Sequence, residues 1–340
     1  MFYPIKKTIQ RIGMIKRHHA MRQFILKALF IVLPLLLVLG YIEYRLSMVT
    51  VSYSQKKYEL ETQLDQIEVL ALGSSNGYFA LNPHFFSKKG FNLAYRGQWP
   101  FYDLKFIEKY LNQMPRLKLV IYPVNYFTLG TQASEQADEW RILFYSQYHH
   151  FLPPKTGKYA KMNWLSEPRL FSKIALFAER IPYYLRHGST QMNSGEPDED
   201  MTGWLNAGTK PCDLSQNIGF TGATAHNSGV DPRNFKLNLK IISHIVKKLQ
   251  AKNIDFYILE LPELAYYTDH LDPVKTAAME QSIRDFAKKN HVKFINYLND
   301  KRFTVNDFTD MPDHLNANGA EKISRTIDHD IIIPTFKARA

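Results

Sequence analysis

Cysteine is almost absent from this sequence of 340 residues, since Cys212 is the single one. An intramolecular disulfide and a cysteine-based zinc site are therefore both excluded. The fold must depend on the burial of apolar side chains instead. Hydrophobic residues make up 45% of the chain and aromatic residues 14%, which is sufficient for a core and argues against a disordered protein.

Acidic residues are missing from the first 27 positions, where seven basic residues occur. These are Lys6, Lys7, Arg11, Lys16, Arg17, Arg22 and Lys27. They supply +7 of the formal net charge of +11, which leaves +4 for the rest of the chain. Nucleic acid binding needs basic clusters interleaved with aromatics on the folded body, and a basic tail does not provide them. We therefore expect no nucleic acid partner.

Residues 24–42, with the sequence FILKALFIVLPLLLVLGYI, carry a single charge at Lys27. About 20 apolar residues are enough to cross a bilayer, so this run predicts a transmembrane helix over residues 24–43. A signal peptide is an alternative, although no cleavage site of small residues follows, and a buried core helix is another. The positive-inside rule predicts a cytoplasmic basic tail at residues 1–23 and a body outside the cytoplasm, in a periplasm or at the cell surface. The polar residues 44–66 are expected to form a short helical stalk.

Short apolar runs in the body predict strands, and amphipathic stretches between them predict helices. The predicted strands are residues 68–72, 91–95, 117–124, 255–261 and 292–297, and the predicted helices are residues 101–111, 235–249, 273–289 and 317–327. This alternation indicates an α/β domain over residues 67–336, with a parallel sheet of about five strands flanked by helices.

An insertion at about 130–232 interrupts the alternation, and its part near 187–232 has the composition of a Gly/Ser/Asp-rich loop. We expect the insertion to lie over the carboxyl ends of the strands, where open α/β sheets bind ligands. Its aromatic residues are candidates for stacking on sugar rings. They include Trp140, Trp164, Tyr183, Tyr184 and Trp204.

A Gly-Ser-Ser turn follows the first predicted strand, with Gly73, Ser74 and Ser75. A nucleophilic serine needs such a tight turn, which exposes its hydroxyl above the sheet and directs backbone N–H groups at the reacting centre. The same residues are typical of an ordinary helix N-cap. The turn alone thus leaves both interpretations open.

A second candidate cluster, DMPDHLN at residues 310–316, precedes the last predicted helix. His314 beside acidic residues suits a general base with an orienting carboxylate. A helix start with a solvated histidine is the alternative reading of the same residues.

Taken together, the serine turn after the first strand and the acid–histidine cluster before the last helix resemble the SGNH/GDSL hydrolase superfamily, across roughly residues 67–330. Two more blocks agree with the resemblance: Gly97 follows the second predicted strand, and Asn125 follows the third. The resemblance implies a flavodoxin-like fold, with Ser75 as the nucleophile and His314 as the base. It implies an oxyanion hole that includes Gly97 and Asn125, and it requires neither a metal ion nor an organic cofactor.

The orienting acid departs from the pattern of the superfamily. The family places it three residues before the histidine, and here that position is Met311. Asp310, four residues before His314, and Asp313, one residue before it, are the two alternatives.

The sequence is most similar to the membrane-anchored acyl-transfer branch, which includes the D-alanyl transfer protein of lipoteichoic acid synthesis and the O-acetyltransfer proteins of exopolysaccharide export. By this resemblance, we expect the chain to move an acyl group, acetyl or similar, to a cell-surface or secreted polysaccharide through a Ser75 acyl-enzyme. The acyl group would come from a polytopic membrane-bound O-acyltransferase partner. Two other functions stay open: a membrane-anchored esterase of carbohydrates or lipids that uses the same residues, and a non-catalytic scaffold of a polysaccharide synthesis or export complex.

Overall fold

The structure is a computed structural model that describes residues 3–48, 51–132, 141–155, 173–174 and 199–339. The chain divides into two compact units. One comprises Met1–Thr50 and Pro168–Asn193, and the other comprises Val51–Glu167 and Ser194–Ala340. The second unit contains the sheet and every candidate site residue.

The first unit contains one long helix, α1 (Tyr3–Ser47), which includes Pro34 without interruption. Its segment Met21–Ser47 is long and apolar enough to cross a membrane. Most apolar side chains along this segment are exposed, whereas Leu46 near its end is buried. By length and composition the segment suits a membrane span or a signal sequence. The side of the membrane on which the tail and the body lie stays a prediction.

The second helix, α2 (Ser52–Glu61), lies inside the range expected to form a stalk. Its residues Tyr53, Lys56 and Leu60 occur at helical spacing and are buried. The ammonium of Lys56 donates to the carbonyl oxygen of Ala94 at 2.5 Å and lies 3.7 Å from a carboxylate oxygen of Glu199. This helix therefore packs onto the sheet domain, which begins near residue 51 rather than at residue 67.

Five parallel strands form the sheet, in the order β2-β1-β3-β4-β5. They are β1 (Val69–Ala71), β2 (Gly90–Asn92), β3 (Leu119–Val124), β4 (Asp255–Glu260) and β5 (Lys293–Asn296). Four of them lie within runs predicted to be strands, whereas β2 overlaps the predicted run 91–95 only at residues 91–92. The strand order is that of flavodoxin-like folds. The prediction of an α/β fold with about five parallel strands is confirmed.

The further helices of the domain follow in chain order. They are α3 (Ser75–Ala80), α4 (Pro100–Tyr110), α5 (Tyr126–Gly130), α6 (Arg141–His149), α7 (Ile218–Gly229), α8 (Pro232–Gln250), α9 (Ala265–Thr268), α10 (Pro273–Asn290), α11 (Ala317–Ile327) and α12 (Ile333–Lys337). The four predicted helices correspond to α4, α8, α10 and α11. Asp231 and Asp272 cap α8 and α10 by accepting from backbone N–H groups, and a proline follows each of them, as is typical of helix starts.

Helices cover both faces of the sheet. On one face, Val69, Leu119 and Leu259 pack in a single apolar cluster with Ile323 of α11. On the other face, α8 packs beside α4 and α10 and contacts β4. Because the inner strands β1, β3 and β4 are buried on both faces, they consist mainly of apolar residues and could be recognised in the sequence. The edge strand β5 is partly exposed and contains Lys293 and Asn296.

The insertion is described only in part, and the loop reading of residues 187–232 was wrong over α7 (Ile218–Gly229), which is a helix. The side chain of Trp204 is buried, and its indole N–H donates to the carbonyl oxygen of Phe79 at 2.8 Å. Trp204 therefore stabilises the domain and is not available to stack on a sugar. The other aromatic candidates lie outside the described residues. They are Trp140, Trp164, Tyr183 and Tyr184.

Candidate active site

The turn after β1 places Ser75 at the start of α3. Gly73 has a φ of +106°, and a Cβ atom there would lie 3.0 Å from the carbonyl oxygen of Pro123. Only glycine adopts this conformation without strain, so the turn depends on Gly73. The Ser74 hydroxyl is buried and bonds to the hydroxyl of Thr128 at 2.6 Å. Both serines line the same cavity, but Ser75 is only half-buried, so Ser75 rather than the engaged Ser74 is in a position to react.

His314 is held by its neighbour in the sequence. Its Nδ1 lies 2.7 Å from Oδ1 of Asp313, and the two residues are only 8% and 7% exposed. Burial alone would raise the pKa of Asp313, but the charge and hydrogen bond of His314 oppose it, and the pKa lies below its ordinary value. Asp313 is therefore a carboxylate that fixes the imidazole and can stabilise its protonated form.

Asp310 is directed elsewhere. Its Oδ2 forms an ion pair with Lys210 at 2.8 Å, and its side chain is 47% exposed. The backbone explains the difference: the His314 N–H donates to the carbonyl oxygen of Met311, and the Thr309 N–H donates to that of His314. In this tight turn, Asp313 is the acid that reaches the imidazole.

The two predicted oxyanion-hole residues line the same cavity. Gly97 is in a left-handed conformation with a φ of +59°. The buried Asn125 donates from its amide to Oδ1 of Asn76 at 2.5 Å and accepts from the backbone N–H of Thr128 at 2.8 Å. Asn125 also forms a side-chain hydrogen bond with Glu263. Burial raises the pKa of Glu263 well above its ordinary value, and the bond to Asn125 opposes this shift without cancelling it.

Asn76 connects three parts of the site and was not predicted. Its Oδ1 accepts from Asn125, after β3, and its Nδ2 donates to the carbonyl oxygen of Asp313 at 2.8 Å. It therefore joins the serine turn to the loop of His314. No local pattern in the sequence indicates this role, because the partner residue is 237 positions away.

Asp103, in α4, is a second residue that the sequence analysis missed. This fully buried carboxylate accepts from the Gly73 backbone N–H at 3.1 Å, from the Gln98 amide at 2.6 Å and from the Tyr122 hydroxyl at 2.6 Å. Burial raises its pKa to about 6, although all three hydrogen bonds oppose the shift. Asp103 therefore joins the serine turn to the residue that follows Gly97.

The site as a whole is a cavity of about 210 Å³ at the carboxyl ends of the strands. Its lining includes Ser75, Gly97, Asn125, Asp313 and His314. Of the residues predicted to act in catalysis, Asp310 alone is not among them. The arrangement combines a serine hydroxyl, an imidazole with a buried carboxylate partner and two oxyanion-hole candidates, which are the groups that acyl transfer requires.

A metal centre has no support in the described part of the chain, where no group of three or more His, Cys, Asp or Glu side chains could hold an ion. The cavity does contain a second imidazole, His226 of α7, which was not predicted as a site residue.

Comparison with known proteins finds no matching family model and no significant match among curated proteins. Among solved structures, the chain is similar to a GDSL-like lipase from Bacteroides thetaiotaomicron VPI-5482, with a TM-score of 0.39, 13% identity and coverage of 84% of this chain and 99% of that one. It is also similar to a candidate platelet activating factor from Streptococcus pneumonia, with a TM-score of 0.39, 11% identity and coverage of 89% and 97%. At these identities and TM-scores, neither likeness establishes the function of this chain.

Proposed function

We propose that the chain is a serine-dependent acyl-transfer enzyme of the SGNH/GDSL type. The observation that carries the proposal is the pairing of His314 with Asp313, whose Oδ1 lies 2.7 Å from the imidazole Nδ1, in the same cavity as Ser75. Ser75 is far from this pair in the sequence, yet the fold places it on the same cavity. A buried carboxylate beside the imidazole is the arrangement that activates a serine.

In the proposed mechanism, the Ser75 Oγ attacks the carbonyl carbon of an ester while His314 Nε2 takes the hydroxyl proton. Asp313 accepts from Nδ1–H, which fixes the tautomer and stabilises the imidazolium. The imidazolium then gives the proton to the departing alcohol, leaving the acyl group on Ser75. An acceptor hydroxyl repeats the steps in reverse and frees the serine.

The oxyanion of each tetrahedral intermediate would accept from the backbone N–H groups of Ser75 and Gly97. Asn125 is the proposed third donor, and its amide would exchange its hydrogen bond with Glu263 for one with the oxyanion. One such donor typically lowers the barrier by about 3–4 kcal/mol.

A polysaccharide hydroxyl is the proposed acceptor, with transfer taking place outside the cytoplasm beside a membrane. The apolar segment Met21–Ser47 supports attachment to a membrane, and the basic residues before it support a cytoplasmic N-terminus. Acyl donors such as acyl-CoA are cytoplasmic, so a polytopic O-acyltransferase would supply the acyl group across the membrane. Hydrolysis of the acyl-enzyme by water, which would make the chain an esterase, needs the same residues.

Labelling by a fluorophosphonate probe tests the proposal on the full chain in detergent. We expect the wild type to be labelled and both Ser75→Ala and His314→Ala to be unlabelled. Ser74→Ala is the matched control, because the neighbouring hydroxyl is bonded to Thr128 and should not be the labelled group. A folded wild type that is not labelled, even in membranes that contain its partner, would support a non-catalytic scaffold.

A further inference from the structure

His226 is the second imidazole of the cavity that contains Ser75 and His314. It lies in α7, and its ring stacks on Phe127 with centroids 4.4 Å apart. Its Nδ1 lies 2.6 Å from the hydroxyl oxygen of Tyr267 in α9. Among the described residues, the hydrogen-bond partner of this ring is the Tyr267 hydroxyl at Nδ1, so Nε2 is the ring nitrogen that a ligand in the cavity could use.

The surroundings of the two histidines differ in charge. Burial lowers the pKa of His226, so its ring is neutral at pH 7. Burial, followed by the charges of Glu263 and Asp313, raises the pKa of Tyr267, so its hydroxyl keeps its proton. His226 has a hydroxyl at Nδ1 where His314 has a carboxylate, and it is therefore not equipped to hold a proton taken from a substrate.

We propose that the Tyr267 hydroxyl donates to Nδ1 of His226, which then presents Nε2–H to the cavity and binds a hydroxyl group of a polyol acceptor. This inference rests on the proposed function and names the acceptor class for the same site. The acceptor hydroxyl that reacts must lie at His314, whereas the one bound by His226 is a different hydroxyl of the same molecule.

The cavity wall fits such an acceptor. Trp99 and Phe127 line the cavity as aromatic residues, and Arg96 and Arg141 line it as charged ones. Alternating apolar faces and hydroxyl groups are characteristic of sugars and other polyols, and ligand sites recognise them by apolar walls with a few placed polar groups. In the proposed arrangement the two histidines bind different hydroxyl groups, which water and simple alcohols cannot provide because each has a single oxygen.

The transfer step balances without another reactant. The acceptor oxygen forms a bond to the acyl carbon as the bond from that carbon to Ser75 Oγ breaks. The acceptor proton passes to His314 Nε2 and then to Ser75 Oγ. His226 keeps its proton throughout and only positions the acceptor.

The test is a competition assay with the full chain in detergent. The acyl donor is p-nitrophenyl acetate, and the acceptors are glycerol and methanol in separate reactions. The measured quantity is the ratio of acetylated acceptor to free acetate. The variants are His226→Phe, which keeps an aromatic ring but has no N–H, and His226→Gln, whose amide N–H can replace Nε2–H. His270→Phe is the matched control, because His270 is exposed and does not line the cavity.

We expect His226→Phe to lower the glycerol ratio about tenfold, equivalent to about 1.4 kcal/mol, and His226→Gln to restore part of it. The methanol ratio should change less than about twofold. A glycerol ratio that is unchanged in His226→Phe, or that falls together with the methanol ratio, would overturn the inference. A wild type that hydrolyses the ester through Ser75 without acylating glycerol would also overturn it, whereas a wild type without any Ser75-dependent turnover would overturn the proposed function itself.

Discussion

The assignment of Asp313, rather than Asp310, as the orienting acid gives a prediction with a built-in control. Asp313→Asn keeps the size of the side chain but places either an amide NH₂ or an uncharged oxygen beside His314. If the NH₂ donates to Nδ1, the ring holds its proton on Nε2 and cannot take one from Ser75. Asp310→Asn instead removes a surface ion pair with Lys210.

The expected magnitudes differ by several orders. In serine hydrolases, replacing the orienting aspartate by asparagine lowers kcat about 10⁴-fold because of the wrong tautomer. We expect Asp313→Asn to lose about 10³–10⁴-fold in kcat/KM, equivalent to about 4–5 kcal/mol of transition-state stabilisation. An exposed ion pair contributes about 0–1 kcal/mol to stability, and Asp310 does not touch the imidazole, so Asp310→Asn should change kcat/KM less than about threefold.

The assay is hydrolysis of p-nitrophenyl acetate by each full-length variant, with thermal unfolding measured in parallel to show that the variants are folded. Two results would refute the reasoning. One is an Asp313→Asn variant that is folded and keeps more than about a tenth of the wild-type kcat/KM. The other is a loss in Asp310→Asn as large as that in Asp313→Asn.

Two further predictions concern the support of the site, and a third concerns the stability of the fold. Gly73→Ala should abolish fluorophosphonate labelling, because its Cβ meets the Pro123 carbonyl oxygen at a φ of +106°, and labelling at the wild-type rate would contradict this. Asp103→Ala leaves three buried donors without their acceptor and should lower the free energy of urea unfolding by about 3 kcal/mol or more. The control is Asp255→Ala, which removes an exposed ion pair and should lower the free energy of unfolding by under about 1 kcal/mol. Burial raises the pKa of Glu260 from 4.5 to about 7, so ionisation of this group progressively destabilises the folded protein as the pH rises from 4.5 to 7. Glu260→Gln should therefore be more stable than the wild type by about 3 kcal/mol at pH 8 and by under about 1 kcal/mol at pH 5. An equal gain in stability at both pH values would rule out titration of Glu260 as its cause.

The sheet and its main helices could be predicted from the sequence because their signals are local. A strand buried on both faces is a short apolar run, and a helix such as α8 shows its buried stripe at a period of 3.6 residues. Helix α7 gave no such signal. Its sequence, IGFTGATAHNSG, contains three glycines, which disfavour helices. Packing overrides this preference, since α7 carries the His226 ring that stacks on Phe127 and bonds to Tyr267.

The stalk prediction failed for a related reason. Lys56 lies in a polar stretch, and a lysine in such a stretch is ordinarily solvated. Here its ammonium lies over the rings of Tyr78 and Tyr95, 3.9 and 4.2 Å from their centroids, and near Glu199. Two of these partners are more than 20 positions away and the third is 143 positions away, so neither composition nor periodicity could have shown that the lysine is buried.

The residues of the candidate site also divide into those that could be predicted from the sequence and those that could not. Ser75 was predicted from the tight turn after the first strand, and Gly97 and Asn125 were predicted from the resemblance to the SGNH/GDSL superfamily. All three line one cavity, because the carboxyl ends of parallel strands share one edge of a sheet. Asp103 and Asn76 could not, because their roles are hydrogen bonds to distant backbone and amide groups. The choice between the two acids near His314 depended on the turn at Met311, which is a matter of backbone geometry rather than of residue type.

The two imidazoles of the cavity show what decides the role of a histidine. The chain has twelve histidines, and no pattern in the sequence separates His226 from the others. In the fold, the hydrogen-bond partner of Nδ1 distinguishes the roles of His226 and His314. The carboxylate of Asp313 stabilises a positive charge on His314, so that ring can accept a proton, whereas the Tyr267 hydroxyl carries no charge to stabilise one on His226. One cavity thus contains one imidazole suited to proton transfer and one suited to hydrogen bonding, and the proposed transfer to a polyol would use both.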